Sequence, residues 1–248
     1  MEERGPSAYV AEFLGTLILV FSIAMVVSLH QVSSEGLGYQ DFAVIGFVHV
    51  FALAMLVASL GGTSGAHFNP AVTVALAALR KIRPAHAALY VAEQLAGGVC
   101  GALLVRVILS DEGRAVKYGS VGISPKFLSG RTGLGFLCEL IGTFLLMWAI
   151  MAAAVNPRAE RGWAPWIIGG TLGFAVMIFG PLTGAGFNPA RAFGPAVVGS
   201  GFGGFGTWLV AFVLGPIVGA LLAATGYTAL VLRPQGRAPG DRPIDSLD

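Results

Sequence analysis

Asn69 and Asn188 occupy the same place in a repeated string: Ser64-Gly-Ala-His-Phe-Asn-Pro-Ala71 returns as Thr183-Gly-Ala-Gly-Phe-Asn-Pro-Ala190. A carboxamide both donates and accepts hydrogen bonds, so two of them brought together would hold and orient a small polar molecule without reacting with it. Pro70 and Pro189 stiffen the two turns, and Ala71 and Ala190 keep their tips small. Arg191, the only charged residue adjoining either box, would add a fixed positive charge. One Asn-Pro-Ala is a turn signal and nothing more. Two, in equivalent places of the two halves of an apolar chain, imply a duplicated structure with paired functional elements.

Other chemistries are poorly served. No constellation of paired titratable groups appears that would support an enzyme, and no cofactor or metal site is expected. Cys100 and Cys138 are far apart and lack metal-ligand spacing, so they read as free core thiols. A net charge of +2 is too small to imply nucleic-acid binding.

The solvent follows from composition. Of the 248 residues 55% are hydrophobic and only 11% charged, with a mean hydropathy of +0.78; a soluble protein carries about 25% charged residues. Crossing a bilayer takes roughly 20 apolar residues in a helix. Six stretches qualify, at about 8–29, 42–60, 85–109, 134–155, 163–179 and 207–232, the fifth being short. The first six residues carry two acids and no signal-peptide pattern, so the first span is expected to stay in the mature chain. Residues 233–248, rich in Pro, Arg and Asp, read as a short solvated tail.

Arg80, Lys81 and Arg83 follow the first box, and Arg158 and Arg161 separate spans four and five. Counted by the positive-inside rule these loops are cytoplasmic, which places both termini inside. The loop between spans three and four, with Arg114, Lys117 and Lys126 against Asp111 and Glu112, then lies outside and runs against that rule.

The duplication extends beyond the boxes, because Glu12-Phe-Leu-Gly-Thr16 is echoed by Glu139-Leu-Ile-Gly-Thr143. A repeat of three spans, an odd number, must enter from opposite sides in its two copies, so residues 1–110 and 131–232 are expected to form inverted repeats within a single channel domain. Each box follows a Gly-rich approach, 61–65 or 180–184, and precedes a short helix-favouring run, 72–79 or 191–198. Asn is a preferred N-cap and Pro suits the first helical position. The expected fold is therefore all-α: six transmembrane helices plus two re-entrant half-helices meeting around a central pore, since such segments persist at membrane depth only when packed in protein or lining a water-filled cavity.

With its paired boxes, the Arg after the second, Glu-Phe-Leu-Gly-Thr, and Gly-Phe-Asn-Pro-Ala-Arg-Ala-Phe-Gly-Pro, the chain resembles the aquaporin (major intrinsic protein) family over nearly its whole length. The resemblance implies an hourglass pore in each protomer of a homotetramer in the cell membrane, passing water and small neutral solutes. Two half-helices meeting tip to tip aim two positive dipole ends, about half a charge each, at one point, an exclusion mechanism known for this class of channel. The resemblance also makes Arg191 the selectivity-filter arginine. The other filter positions, by spacing from the boxes, are His49, Val176 and Ala185. That set matches neither water-selective members (Phe, His, a small residue) nor glycerol facilitators (Trp, Gly, Phe), and is most similar to plant tonoplast-type channels.

The cargo stays open between water, the first reading, and glycerol, ammonia, urea or metalloid acids. Gly180-Pro-Leu-Thr-Gly184 resembles the glycerol facilitators, whereas Ala192 stands where those carry Asp. A secondary transporter or a cation channel would place acids near the interruptions, and none adjoins the boxes. Glu12 and Glu139, buried acids at matching places, are expected to accept N–H groups from the loop of their own half. His67 suits either the cytoplasmic vestibule or loop packing. His49 on residue type alone fits a core histidine as well as a pore residue; its distance from the first box favours the pore. Protonated, it would add a second positive charge near Arg191. External acidification is thus expected to lower conductance, and an unchanged pH profile of permeability in His49→Ala would refute that.

Overall fold

A burial argument governs the architecture. Backbone N–H and C=O groups in hydrocarbon must be satisfied inside the protein, and a helix does this within one segment. The computed structural model describes residues 5–33 and 38–235. Among the described residues it has no strand and six helices long and apolar enough to cross a membrane. In chain order the elements are α1 Pro6–Ser33, α2 Asp41–Ser64, the short α3 Pro70–Ala78, α4 Pro84–Ile108, α5 Thr132–Val155, α6 Ala164–Thr183, the short α7 Pro189–Val198 and α8 Phe205–Leu232. Each half thus runs span, span, half-helix, span. At 9 and 10 residues the half-helices are about half the length needed to cross.

The fifth span is longer than its apolar run. Gly180-Pro-Leu-Thr reads as a loop, yet α6 continues through Pro181 to Thr183 and reaches 20 residues. Likewise 61–64 is the last turn of α2 rather than an approach loop. The turn is made one residue later, by Gly65 (φ 87°) and Gly184 (φ 79°), whose N–H groups close back onto Gly61 and Gly180. These are left-handed C-caps that glycine adopts without steric cost. Pro216 lies inside α8, and the turn before it, Val210–Leu214, is widened to π-type geometry, which accommodates a ring that cannot donate a helical hydrogen bond. The expected tail begins as one more turn, Arg233–Gln235; the rest of it, and residues 1–4, lie outside the described residues.

Helices approach closely where glycines remove side chains. Gly97 and Gly101 of α4 seat against the Phe13 and Leu17 carbonyls of α1; Gly169 and Gly173 of α6 against Val50 and Gly46 of α2; Gly219 of α8 against the Leu140 carbonyl of α5. Small residues at interfaces are how helices associate where lipid removes the hydrophobic drive. At the second half-helix Gly98 of α4 seats against the Ala190 carbonyl of α7, and Gly194 of α7 against the Gly98 carbonyl. Cys100 is half-buried, Cys138 is buried, and both are free.

Candidate functional site

Both box loops are held by a carboxylate from the first helix of their own half. Glu12, fully buried in α1, accepts from the backbone N–H of His67 (2.9 Å) and Phe68 (2.7 Å) and from Ser64 Oγ (2.6 Å). Glu139, fully buried in α5, accepts from Gly186 N–H (2.9 Å), Phe187 N–H (2.6 Å) and Thr183 Oγ1 (2.6 Å). These bonds sustain an unusual backbone. Ala66, Phe68, Ala185 and Phe187 all have φ near +50°, a region costing a non-glycine residue roughly 1–2 kcal/mol. Three residues after each Glu, Gly15 and Gly142 leave the space filled by the rings of Phe68 and Phe187. Glu-x-x-Gly thus does two tasks: the acid grips the loop N–H groups and the glycine seats the loop's phenylalanine.

Beyond the phenylalanine each chain turns into its half-helix. Asn69 (φ −155°) and Asn188 (φ −153°) are extended N-caps followed by proline. Asn69 Oδ1 accepts from Ala71 N–H (2.9 Å); Asn188 Oδ1 accepts from Ala190 N–H (2.9 Å) and Arg191 N–H (3.3 Å). With the oxygen so engaged, each NH₂ points away from its own helix. Asn69 Nδ2 donates to the Phe187 carbonyl (2.9 Å) and Asn188 Nδ2 to the Phe68 carbonyl (2.7 Å). The two halves are locked together at their tips, and each amide retains a second N–H.

Asn69, Asn188, His49, His67 and Arg191 share one lumen, whose remaining wall is largely aliphatic, including Leu19, Ile23, Leu53, Leu146, Ile168 and Leu172. Arg191 also lines a neighbouring vestibule together with Val176. Ala185 is buried but belongs to the lining of neither. Ala71 and Ala190 are fully buried at the helix tips, while Pro70 and Pro189 border an apolar groove outside the lumen.

His49 Nδ1 lies 2.7 Å from the Ile45 carbonyl. A carbonyl only accepts, so Nδ1 carries the proton; Nε2 of the neutral ring is then an acceptor, and it is buried without a partner among the described residues. Arg191 is 3% exposed, donates Nη1 to the Gly119 carbonyl (2.8 Å), leaves Nε without a partner and makes no ion pair among the described residues. It stands in the first turn of α7, where the helix dipole is already positive. An acceptor and a donor thus remain unsatisfied in one narrow wall.

Sequence reasoning misses several of these groups. Ser64 and Thr183, hydroxyls at matching places, carry a signal in the duplication itself. The Gly119 carbonyl comes from the loop between α4 and α5, where Tyr118 is buried and bonds Ser110; nothing local marks that loop as part of the site.

An aliphatic lumen crossed by two capped half-helices in a six-span bundle defines a membrane channel. The chain matches the major intrinsic protein family model over residues 4–227, and it belongs to that family. It is 36% identical over 238 residues to an aquaporin, AqpM, of Methanothermobacter marburgensis, covering 89% of this chain and 96% of the relative. It is 35% identical over 216 residues to a glycerol uptake facilitator protein-like 6 of Lactiplantibacillus plantarum, covering 87% and 94%. The crystal structure of the aquaglyceroporin from Plasmodium falciparum superposes with a TM-score of 0.74 over 92% of this chain and 97% of that one, at 20% identity, a likeness of fold.

Glu139→Gln would set an NH₂ against N–H donors, leaving buried donors unmade at about 1–3 kcal/mol. The expected result is an apparent melting midpoint in detergent lowered by roughly 3–10 °C, measured by intrinsic fluorescence.

Proposed function

We propose that the chain is a passive channel for water, with small neutral solutes as further cargo, that excludes protons and cations. The reading rests above all on the lumen in which Asn69, Asn188, His49 and Arg191 meet. A water molecule arriving at the box tips can accept from the remaining N–H of each amide, and so engaged it cannot accept from its neighbours along the file. A proton would need that acceptance to hop. Two half-helix N-termini and Arg191 add positive potential at the same place, which opposes cations. Where His49 Nε2 accepts and Arg191 Nε donates, a solute carrying both a donor and an acceptor regains hydrogen bonds lost on leaving bulk water.

Val176 on the vestibule wall, at the place where water-selective members carry His, favours a second reading, a facilitator that also takes glycerol, ammonia, urea or metalloid acids, because an aliphatic side chain leaves that side of the path less polar. In this reading residues 1–110 and 131–232 are inverted repeats, four protomers assemble in the cell membrane among its lipids, and both termini are cytoplasmic.

Stopped-flow light scattering on proteoliposomes, with water, glycerol, urea and ammonia compared, is expected to show water flux well above empty vesicles. Glycerol permeation far above empty vesicles with little water flux would overturn the primary reading. Asn188→Asp keeps the cap oxygen yet replaces the NH₂ donor with negative charge at the tips. It is expected to admit protons, read as dissipation of an imposed pH gradient by an entrapped pH dye, whereas wild-type vesicles hold the gradient.

A further inference from the structure

The two halves differ at three linked positions. Gly97 packs on the carbonyl of Phe13 and Gly219 on that of Leu140. Phe13 and Leu140 each follow the Glu of their half, so the two glycines are counterparts, and three residues before them stand Gln94 and Pro216. Thr73, four past Asn69, corresponds to Ala192, four past Asn188; His67, two before Asn69, corresponds to Gly186. In the second half all three side chains lack polar atoms. In the first they form one chain: Gln94 Nε2 donates to Glu12 Oε2 (2.7 Å) and to Thr73 Oγ1 (2.9 Å), and Thr73 Oγ1 lies 3.0 Å from His67 Nδ1.

Loop bracing does not account for this chain. Glu139 holds its loop with two backbone N–H groups and one hydroxyl, and Glu12 already has the same set before Gln94 is counted. The donors of Gln94 are surplus to the clamp. Thr73 gives its hydroxyl hydrogen to the Asn69 carbonyl (3.1 Å) and one lone pair to Gln94, so toward His67 it acts as acceptor and Nδ1 carries the ring proton. Gln94 and Thr73 are fully buried, while His67 lines the lumen and not the vestibule.

We propose that Gln94 and Thr73 are positioning residues that hold the His67 ring against the lumen as a further polar station for the permeating solute, separate from the asparagine tips and from His49 and Arg191. Away from these polar groups and the asparagine tips the wall is largely aliphatic and returns none of the hydrogen bonds a water molecule gives up on entry; a ring fixed by a saturated hydroxyl restores one at a set place. The inference rests on the lumen being the conduction path.

The test is unit water permeability in proteoliposomes of known channel number. Thr73→Val, His67→Gly and the double variant are compared, with Thr73→Ser as the conservative rescue. Thr73→Val and His67→Gly are each expected to lower permeability about three- to tenfold, the scale of one hydrogen bond. The double variant should fall no further than His67→Gly alone, and Thr73→Ser should restore the wild-type value. A merely structural Thr73 would lower permeability by the same factor with or without His67, and that outcome overturns the proposal, as does unchanged permeability in Thr73→Val. Should Thr73→Val fail to fold, Gln94→Met carries the same comparison against His67→Gly: no further fall in the double variant supports the proposal, and an undiminished further fall overturns it. Wild-type vesicles no more permeable than empty ones would instead sink the conduction reading itself.

Discussion

A carboxylate buried without a cation is costly unless hydrogen bonds surround it, and this protein buries two. Glu12 and Glu139 each find donors in a loop whose N–H groups would otherwise point into the protein interior unpaired. Neither partner is tolerable alone at membrane depth: the acid lacks water and the loop lacks a helix to satisfy it. The same contact sustains the run of left-handed residues before each box, and that run sets Asn69 and Asn188 extended at the helix starts. The caps, the tip-to-tip meeting and the shape of the lumen all depend on this exchange of donors and acceptors.

Charge in the site is arranged with one sign. The carboxylates are engaged on the loop side, while the groups facing the lumen are amide N–H donors, helix N-termini, Arg191 and the neutral acceptor of His49. An arginine in the first turn of a helix is placed against the dipole, and its guanidinium donates to a neutral carbonyl, that of Gly119. Pairing it with an acid would cancel that charge. A carbonyl fixes the guanidinium in place and leaves its charge in force.

Much of this is legible in the sequence because it is local. Twenty apolar residues announce a span, and Asn-Pro after a glycine announces a helix start, so the spans and both half-helices follow from short strings. The end of α6 does not, since Gly180-Pro181 looks like a breaker; the missing donor of Pro181 matters little in a last turn that a left-handed glycine closes three residues later. What no local string carries is contact between distant segments. Asn69 meets the Phe187 carbonyl across 118 residues, and Arg191 meets Gly119 across 72. Gln94 stands among small residues in an apolar helix, and only its place opposite Glu12 gives it a role.

The crossed amide bonds also bear on how solutes move. Two matching halves around a central site also occur in carriers that rock one half against the other, and rocking requires an interface with two arrangements. Here each half donates from its asparagine to a carbonyl of the other, at 2.9 and 2.7 Å, in a buried place where breaking either bond strands a donor and an acceptor. The carboxylates fix the loops that carry those carbonyls, so relief by local adjustment would break the clamp as well. Movement of one half past the other would therefore cost several buried hydrogen bonds. A static lumen that solutes traverse one after another needs none of that movement, which is why the interactions that build this site make it a channel.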